Sequence, residues 1–151
     1  MDYSFDITLK TRMLFKSILE SLSLEGLNKV PERYNNNIFW NIKHVLVTQQ
    51  LLMYNQSGLP MTLSNNEIEA YKKGSKVEFN INQEDVEILK DQLFSTLEKA
   101  QEDYKKGIFK NFQEYTVTTK SVLSNIEDVI EFNNFHEGIH LGYVFALRKL
   151  I

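Results

Sequence analysis

The chain has 151 residues, of which 42% are hydrophobic and 25% are charged, and its formal net charge is −3 at pH 7. This composition predicts one globular domain over residues 1–151 with a sizeable hydrophobic core. The 17 lysines and arginines form no basic block, so neither nucleic acid nor an anionic membrane is an expected partner.

The absence of cysteine and of targeting signals narrows the possible chemistry and location. Without cysteine, disulfides, thiolate metal sites and a cysteine nucleophile are excluded, and any thiol chemistry needs a thiol from another molecule. The first residues lack the basic region and apolar core of a signal peptide, and no apolar stretch is long enough to cross a bilayer. We therefore expect a cytoplasmic protein.

The first predicted element is a helix over about residues 5–24. Apolar side chains recur there at intervals of four, the spacing of one helix face: Leu14, Ile18 and Leu22. Gly26 is the predicted stop, because glycine is a poor helix former that commonly follows a helix end.

A second helix is predicted to begin after the asparagines at 35–37, which are candidate N-caps, and to run to about residue 55. Trp40, His44 and Thr48 are spaced four residues apart in it, so they share one face. We expect this to be the inner face of the helix.

A polar connector over residues 56–80 follows, with a short helix predicted at 66–72. Asn82 is then the predicted start of a third helix that ends near Gly107, and Asp85 supplies the acidic first turn that a helix start favours. This helix has a clear apolar stripe, formed by Val86, Leu89, Leu93, Leu97, Ala100 and Tyr104.

Residues 108–120 are predicted to be extended or irregular, and a last helix is predicted over about 122–150. The chain thus has four long amphipathic helices and no convincing pair of strands. This pattern predicts an all-α fold, a four-helix bundle whose 56–80 connector between helices 2 and 3 crosses one end.

The three histidines of the chain suggest a metal site. His136 and His140 are one helical turn apart, and they point with Phe132 towards the inside of the bundle. Two buried imidazoles without partners are costly, and one metal ion would satisfy both, with His44 as a third ligand. Nitrogen ligands favour zinc, nickel, iron or copper, and three protein ligands leave one position open, as in catalytic zinc sites.

Residues 136–140 also match the H-E-x-x-H pattern, in which the glutamate of a zinc protease is a general base. Only 11 residues follow His140, and none of them is a histidine, aspartate or glutamate that could be the usual third ligand. The sequence therefore disfavours a protease. Glu137 is expected to be either a charge on the bundle surface or a partner that orients a ligand.

Two segments resemble the DinB/YfiT-like superfamily of metal-binding four-helix bundles. Residues 36–46, Asn-Asn-Ile-Phe-Trp-Asn-Ile-Lys-His-Val-Leu, are similar to the family pattern of a tryptophan shortly before a ligand histidine. Residues 136–144, His-Glu-Gly-Ile-His-Leu-Gly-Tyr-Val, are similar to its H-E-x-x-H-x-G-Q-I on the last helix. Tyr143 stands where the family often has glutamine, and it is expected either to contact a substrate or to be an ordinary packed tyrosine.

The resemblance implies that His44, His136 and His140 bind a divalent metal, typically zinc or nickel, and that the protein is a homodimer. Family members include thiol-dependent S-transferases that use bacillithiol, and mycothiol-dependent isomerases. The family is named after induction by DNA damage, which does not imply DNA binding.

The favoured hypothesis is an enzyme in which a metal-activated external thiol attacks a small electrophile in a cleft beside Trp40 and Tyr143, with Thr48 as a further lining residue. Two alternatives remain open at this point. One is a non-catalytic, metal-stabilised bundle that acts as a binding or stress-response module. The other is a metal-dependent hydrolase, in which the nucleophile is water.

Overall fold

A computed structural model describes all 151 residues, and the chain is mostly helical, which confirms the predicted helical class. The regular elements are α1 (Asp2–Ser21), α2 (Leu24–Asn28), α3 (Ile38–Met53), α4 (Asn65–Tyr71), α5 (Gln83–Lys105), β1 (Tyr115–Thr116), β2 (Val122–Leu123) and α6 (Ile126–Leu147). None of the helices combines the length and the apolar character that crossing a membrane requires.

The four long helices α1, α3, α5 and α6 form a closed ring of contacts, which we call the four-helix ring. In it α3 packs against α6 and α5, and α1 packs against the same two helices. This is the arrangement that a bundle requires. Its interior is filled by fully buried side chains from every member, among them Phe15, Leu46, Leu89 and Val144.

Helix α3 is the most deeply buried element, with 14 of its 16 residues buried. It begins where predicted, because the Asn37 side chain accepts a hydrogen bond from the backbone N–H of Trp40 at 2.8 Å. The connector explains the burial of its outer side, since α4 packs against α3 there. The short helix predicted in the connector is this α4, at Asn65–Tyr71.

The first helix differs from the prediction in its end and in its inner face. It ends at Ser21, and Gly26 does not stop it but lies inside the separate short helix α2. Leu14 is 47% exposed, whereas Arg12 and Phe15 are fully buried. The apolar spacing was right for Ile18, which is buried, but wrong for Leu14, and it missed Arg12 because the buried face also carries polar side chains that pair with other helices.

The last helix begins later than predicted, and the residues before it form strands. Asn125 caps α6 by accepting a hydrogen bond from the backbone N–H of Asp128. Residues 122–123 are β2, which pairs antiparallel with β1. The expectation that the chain has no strand pair was therefore wrong, because these two short strands form one. This hairpin is fixed near the end of α3, where the backbone N–H of Gln113 donates to the carbonyl of Gln56 at 2.7 Å.

Candidate metal centre

Three imidazoles from two distant parts of the chain meet inside the four-helix ring. One ring nitrogen each from His44, His136 and His140 lies within 4.8 Å of the others, and together they could hold a metal ion. The ring centroids are 5.2 Å apart for His44 and His136, 4.8 Å for His44 and His140, and 4.6 Å for His136 and His140. Successive turns of α6 present two of them to the single histidine of α3.

His44 is fixed by contacts on three sides. Its Nδ1 lies 2.7 Å from the backbone carbonyl oxygen of Tyr71. Since a carbonyl oxygen can only accept, Nδ1 carries the proton and donates this hydrogen bond. The indole of Trp40 stacks on the imidazole, with centroids 4.6 Å apart and planes 10° from parallel. The remaining nitrogen, Nε2, is unprotonated and accepts a hydrogen bond from the Thr48 hydroxyl at 3.3 Å, and its lone pair is the one that could coordinate a metal.

His140 is oriented by an asparagine of α3. Its Nδ1 lies 2.9 Å from Oδ1 of Asn41, which is buried. The orientation of this amide is determined, since its Nδ2 donates to the carbonyl of Asn37 at 2.8 Å and Oδ1 therefore faces the imidazole. His140 consequently donates through Nδ1 and, like His44, keeps Nε2 free.

His136 provides the test of whether a metal ion fits. Its Nδ1 is buried and has no hydrogen-bond partner. A buried polar atom without a partner is costly, and such a nitrogen among three converging imidazoles is expected where the missing partner is a metal ion. The residues present therefore fit a transition metal with nitrogen ligands.

The electrostatics of the cluster favour neutral imidazoles. Burial lowers the pKa of His136 to about 3, with further contributions from the positive charges of His140 and His44. Burial and the charge of His44 lower the pKa of His140 to about 4, and burial lowers the pKa of His44 as well. At neutral pH a metal ion would therefore have no proton to displace.

A cavity of about 260 Å³ opens directly beside two of the histidines. It is lined by His44, Thr48, Leu51, Leu52, Asn55, Gln56, Lys73, Tyr115, Val117, Thr118, Phe132 and His136. Tyr115, Val117 and Thr118 of the hairpin and Lys73 of the connector thus face side chains of α3 and α6. A small molecule in this cavity would reach the imidazole cluster.

The residues that the sequence suggested for a cleft lie in different places. Thr48 lines this cavity, whereas Trp40 and Tyr143 do not. The indole of Trp40 is buried, supports His44 and donates to the Ser75 hydroxyl at 3.1 Å. Tyr143 is 44% exposed, and its ring packs edge-on against Tyr34 with centroids 5.7 Å apart. Tyr143 is therefore a half-exposed tyrosine that contacts Tyr34 and does not border this cavity.

Glu137 is a buried partner of an arginine, which corrects the expectation of a surface charge. Both Glu137 and Arg12 have completely buried side chains, and Nη2 of Arg12 donates to Oε1 of Glu137 at 2.9 Å. Asn133 donates to the same oxygen at 2.9 Å. The hydrogen bonds of Glu137 thus go to Arg12 and Asn133 and to none of the three histidines.

Several residues of the site carry little or no signal in the sequence. Asn41 lies three residues before His44, at helical spacing, but nothing local indicates its pairing with a histidine 99 positions away. Arg12 is one of several charged residues in α1, so its burial has no signal of its own in the sequence. The cavity wall formed by Val117 and Thr118 depends on how an irregular segment folds back, which no periodicity encodes.

The comparison with known families agrees with this geometry. No curated protein matches the chain. A family model described as the DinB superfamily matches residues 8–144, a span that contains α3, most of α6 and all three histidines. The chain belongs to the DinB superfamily.

Proposed function

We propose that the protein binds a divalent transition metal, zinc or nickel, through His44, His136 and His140. We further propose that it transfers a low-molecular-weight thiol of the bacillithiol type to a small electrophile. The observation that supports this most is that two of the three imidazoles border a cavity large enough for a small molecule. A closed structural metal site would have no need of such an opening.

The metal would contribute acidity at sulfur: a divalent cation stabilises a thiolate relative to its thiol, and the thiolate is the nucleophilic form. In the overall reaction the sulfur forms a bond to carbon, the bond between that carbon and its leaving group breaks, and the thiol proton goes to solvent. The chain itself holds no cysteine that could compete for the metal or for the electrophile.

The side chains around the cluster have separate tasks in this proposal. His44, His136 and His140 hold the ion in their neutral forms, while Asn41 and the Tyr71 carbonyl keep two of the rings in the tautomer that leaves Nε2 free. The apolar wall of the cavity, to which Leu51, Leu52, Val117 and Phe132 belong, limits the access of water to the reacting atoms.

We also propose that the protein is a cytoplasmic homodimer of single-domain chains whose ligand is a small molecule and not nucleic acid. The net charge of −3 disfavours nucleic acid, and the cysteine-free chain suits a compartment where free thiols stay reduced. One face of α6 supports the dimer, since Phe135 and Ile139 are 52% and 49% exposed. Large exposed apolar side chains on one face are typical of interfaces.

Two measurements test this function. Elemental analysis is expected to find about one metal ion per chain in the native protein and much less in the His136→Ala variant. The metal-loaded protein is then mixed with bacillithiol and monobromobimane or chlorodinitrobenzene, and the adduct is followed with time. We expect turnover that the His44→Ala variant lacks.

The same experiments separate the two alternative functions. A metal that only ties α3 to α6 predicts that chelation lowers thermal stability while no thiol gives turnover above the His44→Ala variant. A hydrolase predicts that the metal-loaded protein consumes an ester or amide without any thiol. Metal-free native protein with full stability would contradict all three metal-based functions.

A further inference from the structure

The lining of the cavity contains a positively charged side chain but no negatively charged one. Among its 12 lining residues there is no aspartate or glutamate, and the only charged side chain apart from the histidines is Lys73. A histidine coordinates a metal as the neutral imidazole, so three histidine ligands would leave a bound divalent ion with its full positive charge at the inner end. With an ammonium at the outer end, the cavity would be positive at both ends.

Lys73 has hydrogen-bonding capacity that the fold does not use. It is exposed in the connector just after α4, and its ammonium donates to the Thr118 hydroxyl at 2.9 Å but forms no salt bridge. Its neighbour Lys72, in contrast, pairs with Glu69 at 2.5 Å. An ammonium has three donors, so two donors of Lys73 remain for a ligand.

The wall between the two ends determines which reactant meets Lys73. It is mainly apolar on the sides, from Leu51, Leu52, Val117 and Phe132, and has the amides of Asn55 and Gln56 as additional polar groups. A molecule whose sulfur lies at the imidazoles extends along this wall towards Lys73. That molecule is the thiol, because the thiol is the reactant that must approach the imidazole cluster.

We propose that Lys73 determines specificity and selects a thiol that carries a carboxylate at the end opposite its sulfur. This inference rests on the proposed function, since it assumes that the thiol enters this cavity. The carboxylate accepts hydrogen bonds from the free donors of Lys73, while an alcohol or an amine of the same length gains less or is repelled. Because Lys73 is exposed, we expect the preference to be modest, about fivefold in affinity.

The test compares two thiols that differ only at the far end, 3-mercaptopropionate and 3-mercapto-1-propanol. Their binding to the zinc-loaded protein is measured by isothermal titration calorimetry, with the zinc content checked before and after. We expect the carboxylate thiol to bind more tightly. In Lys73→Gln the preference of about fivefold for the carboxylate thiol over the alcohol should be lost, while the affinity for the alcohol stays the same.

Two further variants make the test specific. Lys72→Gln removes a neighbouring charge that is already paired with Glu69, and it is expected to leave both affinities unchanged. Lys73→Arg keeps the positive charge and should retain most of the preference. Added salt should weaken the preference, because the Lys73 contact lies at the exposed end of the cavity.

The outcomes separate this inference from the function on which it rests. If both thiols bind with equal affinity, or if Lys73→Gln preserves the preference, Lys73 has no role in specificity although the thiol site stands. If neither thiol binds to the zinc-loaded protein, the proposed thiol chemistry and the role of Lys73 are both wrong.

Discussion

The side chain of Asn41 connects α3 and α6, the two helices that carry the three histidines, through one hydrogen bond. Its Oδ1 accepts from Nδ1 of His140, and its Nδ2 is already held by the carbonyl of Asn37. The asparagine therefore fixes both the ring orientation and the tautomer of His140. Groups that orient a ligand histidine in this way generally matter for metal affinity nearly as much as the ligands themselves.

We predict that Asn41→Ala weakens zinc binding about 10–100-fold while the chain stays folded. Without the amide, the His140 ring can turn and either nitrogen can carry the proton. The dissociation constant is measured by competition with a chromophoric chelator. Asn35→Ala, at an exposed asparagine before the same helix, is the matched control and should bind zinc normally. Equal affinities in both variants would contradict the role given to Asn41.

Arg12 and Glu137 form an ion pair that is removed completely from water. The guanidinium also donates to Gln49 Oε1 at 3.0 Å and to the carbonyl of Leu93 at 2.9 Å, so a single side chain of α1 contacts all three other helices of the four-helix ring. Burying the pair costs desolvation free energy, but removing one partner lowers stability more, because it leaves an uncompensated charge in the interior.

We predict that Arg12→Met lowers the free energy of unfolding by about 3–5 kcal/mol, because Glu137 remains buried without its counter-ion. The double variant Arg12→Met, Glu137→Met should recover part of this loss, since no charge is then stranded. Lys10→Met, which removes an exposed pair with Asp6, should leave the stability nearly unchanged. Urea unfolding of the four proteins measures these differences, and a double variant less stable than Arg12→Met would refute the explanation.

At the scale of elements, the short helix α4 determines how the connector covers the site. Oε1 of Glu67 accepts from the ammonium of Lys43 at 2.6 Å and from Nε2 of Gln92 at 2.8 Å, which links α4 to α3 and to α5. The last residue of the same helix, Tyr71, provides the carbonyl that orients His44. A displacement of α4 would therefore reach the metal cluster directly.

The ionisation of Glu67 makes this attachment sensitive to acid. Burial raises the pKa of its carboxyl, but hydrogen bonds from Lys43, Gln92 and Ser64 outweigh burial and lower the pKa to about 2, from the usual 4.5. A carboxyl with a lowered folded-state pKa contributes stability that is complete above its unfolded pKa. That contribution is lost as the pH falls from about 4.5 to about 2.

We predict that Glu67→Gln destabilises the protein at pH 7 but has a smaller effect near pH 3, where the wild type has begun to lose the same interaction. Glu69→Gln is the matched control, because Glu69 lies on the same helix but is exposed, with its pair to Lys72 on the surface. Urea unfolding at a series of pH values measures both variants. A Glu67→Gln effect that is the same at every pH would contradict the assignment.

The comparison of sequence and structure shows which signals are local. The caps Asn37 and Asn82 and the apolar stripe of α5 were predicted correctly, because a cap or a stripe is recognisable within one or two helical turns. The grouping of His136 and His140 also follows from helix geometry alone. The burial of Ile18 in α1 also follows from local spacing, but the burial of Arg12 could not be predicted, since its partner Glu137 lies 125 residues later in the chain.

For the site, the sequence indicated the three histidines but not the shape of the space beside them. Trp40 was predicted beside the cleft because it shares a helix face with His44, whereas in the structure its indole stacks on the imidazole of His44. The actual wall comes from the 115–123 hairpin, whose position depends on backbone contacts such as that between Gln113 and Gln56. Such non-local contacts have no periodic pattern in the sequence.

At the scale of the whole molecule, α6 is apolar on two sides. One side packs into the four-helix ring through Val129, Val144 and Leu147, while the opposite side leaves Phe135 and Ile139 about half exposed. Gly138, between Phe135 and Ile139, and Gly142, just after them, have open space where a side chain would lie, so another surface could approach the backbone closely there. A two-fold dimer through this face would bury the same residues on both chains.

We predict that Ile139→Glu converts a dimer into a monomer, because the two-fold axis brings the new charge into the interface twice and each copy loses its water. Ile88→Glu on α5 is the matched control, since Ile88 is 45% exposed and Ile139 49%. Size-exclusion chromatography with light scattering should show half the native mass for the first variant only, with an unchanged zinc content per chain because Ile139 is half exposed and is not one of the three clustered histidines. If the native protein is monomeric, or if Ile139→Glu remains dimeric, this face of α6 is not the interface.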